Sequence, residues 1–399
     1  MNPSILHTEV QDFINENLDK DTSDLLFKGS PFDDIPIQAM VEQIESKKRT
    51  KKKLSTWFST KNIYYPNKLN IEQTSSEITA KYKSNLISGK TVIDLSGGFG
   101  VDTYYFSKRF KYVSHCEINA ELSQIAKHNY KQLQVDNIKT IDQDGIEYLK
   151  SKKEHFDWIY VDPSRRNELK GKVFLLEDCL PNVPENLDTL FKYSNNILVK
   201  ASPMLDITSA INELRFVKEV HIVAVENEAK ELLFILKKSF DKAILIKTVN
   251  LNRNENQYFE AQFKNSTKVE FSLPKTYLYE PNTAILKAGL FDDITALGTT
   301  KLHQNSHLYT SDQLIDFPGR RFIIKDIISY NKKQLKKLIP SQKVHPNDTV
   351  GQANITTRNF PETVAQIRKK TGIKDGGNLY LFFTTNLDNK HIVLICEKV

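Results

Sequence analysis

The sequence predicts an α/β protein, built on an open, doubly wound sheet with a helical segment before it and an α+β module after it. Three observations predict this fold class. Short β-rich runs alternate with helical runs from Lys90 to about residue 250. A glycine-rich turn, Ser96-Gly-Gly-Phe-Gly100, follows the first of these runs. The last eighty residues combine one helical run with two strand-like runs and carry a strong positive charge.

The first 85 residues are predicted to form a helical N-terminal domain. Apolar residues recur at helical spacing, as at Ile37, Met40, Val41 and Ile44. A basic run at residues 47–53 follows, and Trp57 lies just beyond it. The run has two interpretations, a solvated helix face or a nucleic-acid contact with Trp57 stacking nearby.

Residues 86–255 are predicted to form the doubly wound domain. The predicted parallel strands lie at 92–95, 112–117, 138–141, 158–161, 196–200 and 220–225, and a seventh, antiparallel strand lies at 232–237. Helices are predicted between them, among others at 119–133 and 144–152. In such sheets, ligands bind at the carboxyl ends of the strands.

Two segments follow this domain, a mixed α/β segment at 276–320 and a compact α+β module at 321–399. In the second, a helix is predicted to begin at Pro361, to carry basic residues in its last turn and to end at Gly372. Two strands are predicted at 379–385 and 392–396.

The composition argues against a membrane protein, a secreted protein and a disulfide-linked or metal-binding framework. The chain of 399 residues is 39% hydrophobic and 26% charged, and it contains no apolar run long enough to span a membrane and no secretion signal, so we expect a cytoplasmic protein. Its three cysteines, Cys116, Cys179 and Cys396, are scattered, which predicts reduced, buried thiols. No His/Cys/Asp cluster has metal-binding spacing, so we predict no metal requirement.

Positive charge is concentrated near the end of the chain. The net charge is +7, yet residues 320–399 alone carry 15 Lys or Arg against 6 Asp or Glu. A basic module beside a near-neutral one suits binding to a phosphate backbone, although a merely soluble basic domain has the same composition.

The strongest chemical signal is the run from Val92 to Asp102. Asp94 ends a strand, and Gly98 and Gly100 allow a ligand to approach the backbone of the turn. The turn lacks the third glycine of a dinucleotide motif, and Asp102 would repel a pyrophosphate. Glu117 ends the next strand, where a carboxylate can accept hydrogen bonds from ribose hydroxyls. The pattern therefore favours an adenosine without a phosphate on its ribose, and a ligand-free tight turn is the alternative.

Two further strand ends carry acidic residues. Asp144 is a candidate acceptor for an adenine amino group or, equally, a helix N-cap. Asp162 and Pro163 form a rigid turn that suits gripping an exocyclic amino group. Arg165 and Arg166 would then hold a substrate phosphate or an acidic loop. The alternative is an ordinary Asp-Pro turn whose arginines pair with local carboxylates.

The run Asp94-Leu-Ser-Gly-Gly-Phe-Gly-Val-Asp102 resembles the first motif of class I S-adenosylmethionine-dependent methyltransferases, which have a Rossmann-like, seven-stranded domain. Upstream, Ile71-Glu-Gln-Thr-Ser-Ser-Glu77 is similar to a segment of some RNA adenine methyltransferases. The resemblance implies a cofactor, S-adenosylmethionine, and methyl transfer to an amino group held at Asp162, mainly by positioning. The implied cofactor-binding residues are Gln73, Ser76, Asp94, Ser96, Gly98, Gly100, Glu117 and Asp144, with a helix cap as the alternative role of Ser76. Ser164 and Arg165 depart from the amino-methyltransferase motif, which leaves the target atom open.

The whole chain resembles a bacterial group in which this domain precedes a ferredoxin-like segment and a THUMP-like domain. The matching residues are Tyr277-Leu-Tyr-Glu-Pro-Asn282, Ile355-Thr-Thr-Arg-Asn-Phe-Pro361 and Lys374-Asp-Gly-Gly-Asn-Leu-Tyr-Leu381. The resemblance implies an enzyme that binds RNA, tRNA or rRNA, with phosphate contacts from Arg358, Arg368, Lys369 and Lys370. Methylation of a small molecule or a protein, and a non-catalytic binding module, are the alternatives.

Overall fold

The computed structural model describes residues 1–165, 175–330 and 351–399. The chain forms two compact units. One contains Met1–Val220 and Glu231–Ile244, and the other contains His221–Lys230 and Leu245–Val399. The boundary therefore passes through two strands that follow each other in the sequence, Val217–Val225 and Glu228–Lys237.

Helices make up the first part of the first unit. They follow a short 3-10 helix at Pro3–Leu6 and comprise α1 Thr8–Glu16, α2 Thr22–Lys28, α3 Ile37–Lys53, α4 Ser55–Ser59, α5 Lys68–Gln73 and α6 Glu77–Leu86. Ile14, Met40 and Ile44 are buried in their common core, and for Met40 and Ile44 the helical spacing predicts this burial.

The basic run lies in the last turns of α3, and part of it is engaged in internal contacts. Lys47 is buried and donates to Asn15, and Lys53 donates to the backbone carbonyl of Ile71. Trp57 is fully buried and packs edge-on against Tyr104, with 4.9 Å between ring centroids. Of the two interpretations of the basic run, the one in which Trp57 stacks on a nucleic-acid base is therefore wrong, because the ring belongs to the protein core.

The sheet of the first unit confirms the predicted doubly wound fold. Its strands are β1 Thr91–Asp94, β2 Tyr112–Cys116, β3 Ile138–Ile141, β4 Trp158–Val161, β7 Asn196–Ala201, β8 Val217–Val225 and β9 Glu228–Lys237, of which β8 and β9 cross the unit boundary. Their order is β3-β2-β1-β4-β7-β9-β8. The first five strands are parallel, and β9 runs antiparallel to β7, as predicted.

Helices α7 Val101–Ser107, α8 Ala120–Gln132, α9 Gly145–Lys152, α10 Val183–Tyr193 and α11 Ile207–Glu213 connect these strands. A small ladder, β5 Ser164–Arg165 with β6 Cys179–Leu180, follows β4, and a 3-10 helix at Leu176–Asp178 precedes β6. Trp57, Phe99, Tyr104 and Tyr130 share one hydrophobic cluster. The N-terminal helices thus pack directly on α7 and α8.

The second unit contains a hairpin, β10 Leu245–Leu251 with β11 Gln257–Gln262, and a seven-stranded sheet. The sheet strands are β12 Tyr277–Pro281, β13 Thr300–Lys301, β14 Tyr309–Ser311, β15 Gly319–Ser329, β16 Asn354–Arg358, β17 Leu379–Thr385 and β18 His391–Lys398, in the order β13-β14-β12-β15-β18-β17-β16. Among the described residues of this unit, the helices are α12 Thr283–Ala288, a 3-10 helix at Asp293–Leu297, and α13 Val364–Thr371. The segments before and after residue 319 therefore share one sheet.

The helix predicted to begin at Pro361 begins at Val364 instead. Thr363 is its N-cap and forms a capping box with Gln366, in which each side chain accepts from the other residue's backbone N–H. These hydrogen bonds fix the start of the helix, so Pro361 lies ahead of it. Gly372 ends it in the left-handed conformation, as predicted.

Two predictions from composition can be compared with the structure. Cys116, Cys179 and Cys396 are all buried and free of disulfides. Across the described ranges, no helix is both long and apolar enough to cross a lipid bilayer.

Candidate functional site

The glycine-rich turn lies at the carboxyl end of β1, with Asp94 buried beneath it. One oxygen of Asp94 accepts from the backbone N–H of Ser96 at 2.9 Å, and the other accepts from the Thr103 hydroxyl at 2.7 Å. Burial raises the pKa of Asp94 to about 7. Asp94 therefore shapes the turn from inside, and a direct role in cofactor binding remains a prediction.

The turn brings Gly98 next to Glu117. The backbone N–H of Gly98 donates to the Glu117 carboxylate at 2.8 Å. The second carboxylate oxygen accepts from the backbone N–H of Asn119, also at 2.8 Å. Both contacts hold the carboxylate at the sheet edge, between the first two strand ends.

Glycine is required at Gly100 both by the backbone conformation and by the lack of space for a side chain. Its φ of +86° lies in the left-handed region, and a Cβ there would come within 2.1 Å of the Tyr130 hydroxyl. Gly98 also has a positive φ, +54°, but its Cβ would meet nothing closer than 3.8 Å. Both glycines therefore have a positive φ, but only at Gly100 would a side chain clash with a neighbouring residue.

We expect Gly100→Ala to destabilise the first unit more than Gly98→Ala. The left-handed conformation alone costs about 1–2 kcal/mol for a non-glycine residue, and only Gly100→Ala adds a steric clash with Tyr130. Thermal unfolding of the two variants against the parent protein measures the difference. Equal melting temperatures for both variants would contradict this account of the turn.

The turn after β3 lies against the turn after β1. Asp144 caps α9 by accepting from the backbone N–H of Glu147 at 2.9 Å, so the N-cap role is confirmed, and an adenine contact stays a prediction. A Cβ on Gly145 would lie only 2.8 Å from the Leu95 backbone. Ile118, directly after Glu117, is 74% exposed. We did not single out Ile118 from the sequence, although its position beside the acidic strand end was the available signal.

The upstream segment contacts this region through a neighbouring residue. Ser76 caps α6, which was its alternative role, and Gln73 is exposed at the end of α5. Ser75, which was not predicted, donates its hydroxyl to Asp102 at 2.8 Å. Contacts of Gln73 and Ser76 with a cofactor remain predictions.

Asp162 lies at the end of β4, and Lys200 is its ion-pair partner. The backbone N–H of Asp162 donates to the Ser96 hydroxyl at 2.6 Å, which ties this turn to the glycine-rich turn, and Pro163 is buried. The ammonium of Lys200, on β7, lies 2.5 Å from the Asp162 carboxylate. We did not predict Lys200. The available signal was a lysine directly after the apolar residues Ile197-Leu-Val199 of a predicted strand.

A second lysine lies deeper in the unit. Lys83 of α6 is fully buried, and its ammonium contacts Glu231 at 2.7 Å and Asp102 at 3.2 Å. Tyr160 also donates to Asp102, at 2.7 Å. We call Lys83, Asp102, Asp162, Lys200 and Glu231 the buried charge network.

Three members of this network, Lys200, Asp102 and Glu231, have shifted pKa values. Burial opposes the ionised form of each of these three groups. For Lys200, the carboxylates of Asp162 and Glu231 overcome burial and raise the pKa above its usual value. Burial raises the pKa of Asp102, but Lys83 and Lys200 more than offset it, so its pKa is lowered. For Glu231 burial prevails, and its pKa is raised.

The residues predicted to contact phosphate groups in the C-terminal module belong to the second unit, and most of them already form ion pairs within the protein. Arg358 pairs with the buried carboxylate of Glu280 at 2.8 Å. Arg368 pairs with Asp375, and Lys370 pairs with Glu362 at 2.7 Å. Lys369 is exposed. Arg166 and the side chain of Arg165 lie outside the described residues.

These features define the class of the first unit. The strand order with one antiparallel strand, the glycine-rich turn after β1, and acidic residues at the ends of β2 and β4 match the class I methyltransferase fold that the sequence resemblance implies. The predicted Rossmann-like methyltransferase fold is thereby confirmed.

Comparison with known proteins identifies the family. Residues 277–318 match the family described as a ferredoxin-like domain, and residues 319–398 match the family described as THUMP domain-like. The crystal structure of a "putative methyltransferase" from Porphyromonas gingivalis W83 is 33% identical, covers 100% of this chain and 99% of its own, and superimposes with a TM-score of 0.86. The chain therefore belongs to the same methyltransferase family, as its resemblance to the bacterial group with these domains predicts.

A curated relative from Mycoplasma mobile is named an uncharacterized RNA methyltransferase. It is 27% identical over 201 residues, which are 46% of this chain and 55% of the relative. The chain thus spans about half the length of the curated relative it matches.

Proposed function

We propose that the protein is an S-adenosylmethionine-dependent methyltransferase that modifies structured RNA, tRNA or rRNA. One observation carries the proposal: the Gly98 amide, the Glu117 carboxylate and exposed Ile118 lie at the same sheet edge as Asp162, which the Ser96 hydroxyl ties to the glycine-rich turn. Cofactor and acceptor groups would thus meet at adjoining strand ends.

The residues at this edge fit the proposed cofactor. Glu117 offers carboxylate oxygens for the two ribose hydroxyls, and Ile118 offers an apolar side chain for a face of the adenine. A side chain at Gly98 would meet no atom closer than 3.8 Å, so a ligand can approach the backbone there. When bound, the cofactor would supply an electrophilic methyl group on a positively charged sulfur.

Asp162 is the proposed acceptor-site residue. Its carboxylate can accept a hydrogen bond from the group to be methylated and so orient that group. The Asp-Pro turn favours an exocyclic amino nitrogen of a base. A hydroxyl oxygen is the second candidate, and the ion pair with Lys200 favours it.

RNA as the substrate is supported by three features. The C-terminal eighty residues are strongly basic, they match the THUMP-like family, and the Mycoplasma relative is named an RNA methyltransferase. A small molecule or a protein is the alternative substrate, for which the basic module would have another role.

The experiment that tests this function uses methyl-labelled S-adenosylmethionine. The purified protein and an Asp162→Ala variant are incubated with separate pools of tRNA, rRNA, DNA and protein. Label in an RNA pool that is absent with the variant would support the proposal. Label only in protein, or none in any pool despite measurable cofactor binding, would overturn it.

Exposed lysines of α13 are the best candidates for RNA backbone contacts. We expect the double variant Lys369→Ala/Lys370→Ala to weaken RNA binding and to reduce the salt dependence of the binding constant by about one unit of slope per lost contact. Fluorescence anisotropy at several salt concentrations measures both. The matched control is Lys150→Ala, an exposed lysine of the first unit. An unchanged slope would exclude α13 from the RNA interface.

Arg358→Ala should behave differently from these lysine variants. Arg358 and Arg320 both pair with Glu280, which is only 4% exposed, so removing Arg358 leaves a buried carboxylate with one fewer partner. The expected result is a lower melting temperature of the second unit, because an undercompensated buried charge is destabilising.

A further inference from the structure

The ion pair at the end of β4 and β7 presents a hydrogen-bond acceptor and a donor side by side. The Asp162 carboxylate is 31% exposed and the Lys200 side chain 13% exposed, so both border the sheet edge. Among the described residues, Lys200 is the one side chain that contacts the Asp162 carboxylate. The pair can therefore accept from, and donate to, the same incoming group.

A hydroxyl group matches such a pair better than an amino group does. A hydroxyl oxygen has one hydrogen and two lone pairs. It can donate to Asp162, accept from Lys200, and keep one lone pair for attack on a methyl group. An exocyclic amino nitrogen has one lone pair, which a hydrogen bond from Lys200 would occupy.

The positive charge of Lys200 also favours a hydroxyl acceptor over an amino acceptor. An oxygen that loses its proton gains negative charge during methyl transfer, and a neighbouring ammonium stabilises that charge. An attacking amino nitrogen becomes positive, and the same ammonium opposes it. The cation at this position therefore distinguishes the two acceptors.

The rest of the buried charge network holds the lysine in place as a cation. Asp102 and Glu231 add negative potential around Lys200, and Lys83 is bound to both of them. Ser75 and Tyr160 donate to Asp102 and fix its orientation. The arrangement is preorganised, since α6, α7, the turn after β4, β7 and β9 each contribute one of its five charged side chains.

We propose that Lys200 and Asp162 form the binding site for a hydroxyl acceptor, which in RNA is the ribose 2′-hydroxyl. The inference rests on the proposed function and names its acceptor. The hydroxyl oxygen forms a bond to the methyl carbon of S-adenosylmethionine, and its proton passes to Asp162. The carbon–sulfur bond breaks, and its electron pair stays on sulfur, giving the neutral thioether.

Alkaline digestion of labelled RNA tests the acceptor. Alkali cleaves RNA only beside a free 2′-hydroxyl, so a ribose 2′-O-methyl group leaves its label in a dinucleotide. A methylated base leaves the label in a mononucleotide. We expect dinucleotide label. Mononucleotide label would overturn this inference and leave the proposed function intact, whereas no label in any RNA would overturn both.

Variants of Lys200 test its role. Lys200→Met should lower the rate of transfer by about 100-fold or more, with the affinity for S-adenosylhomocysteine, measured by calorimetry, within about threefold of the parent. Lys200→Arg keeps the charge and should recover part of the rate. The control is Lys192→Met, an exposed lysine of the same unit.

Folding must be checked alongside these rates. If Lys200→Met loses its cooperative thermal transition, the comparison of Lys200→Arg with the parent decides, because a purely structural cation would leave the rate unchanged in that variant. A Lys200→Met protein that folds and transfers methyl groups at the parental rate would overturn the inference.

Discussion

Asp162→Ala should lower methyl transfer by about 100-fold or more and leave cofactor affinity nearly unchanged. Among the described residues, the hydrogen bond that joins Asp162 to the glycine-rich turn comes from its backbone N–H, which alanine retains. Its carboxylate is the group that would orient the acceptor and receive its proton, a role worth about 10²–10⁴-fold in rate. Single-turnover kinetics with labelled cofactor, and calorimetry with S-adenosylhomocysteine, separate the two effects.

The matched control is Glu117→Ala. The Glu117 carboxylate lies at the end of β2 and accepts from Gly98 and Asn119, so its loss should weaken the cofactor and disturb the turn that holds it. We expect a large fall in affinity, and a rate at saturating cofactor that is reduced much less. If both variants lowered affinity equally, the division between an acceptor site at Asp162 and a cofactor site at Glu117 would be wrong.

The elements that the sequence predicted are those with local signals. The strands β3 and β4 match the predicted ranges, since each is a short β-rich run bounded by turn residues. Asp144 and Gly372 mark helix ends for reasons that operate within four residues. The glycine-rich turn and Glu117 meet because carboxyl ends of parallel strands share one edge.

The residues that were missed depend on contacts between distant parts of the chain. Lys83 and Glu231 are 148 positions apart, and neither lies in a motif. Trp57 follows a basic run, yet its ring is covered by residues of α7 that follow about fifty positions later. Periodicity reports which face of an element is apolar, but it does not identify the element that covers this face.

The start of α13 shows a second kind of limit. Pro361 and Thr363 are both good residues for a helix start, and each is consistent with the pattern that follows. The reciprocal hydrogen bonds between Thr363 and Gln366 decide between them. A difference of a few residues in the boundary is expected where two local signals compete.

Lys83→Met should lower the free energy of unfolding of the first unit by about 3–5 kcal/mol, the usual effect of breaking a buried ion pair by removing one partner. Lys83 is fully buried, and methionine has a similar length but no charge. The substitution leaves Glu231 without its contacting cation and leaves Asp102 with fewer partners. Urea denaturation followed by circular dichroism measures the loss.

Two further variants separate charge from packing. In Lys83→Met/Glu231→Gln, the uncompensated carboxylate is also removed, so part of the lost stability should return, and the cycle of single and double variants isolates the coupling between the two residues. Lys150→Met breaks only the exposed pair with Glu147 and should leave stability nearly unchanged. If the double variant were less stable by the sum of both single losses, Lys83 would act through its packing and not through its charge. The proposal that the buried charge network holds Lys200 in position would then be wrong, because it requires that the members of the network interact electrostatically.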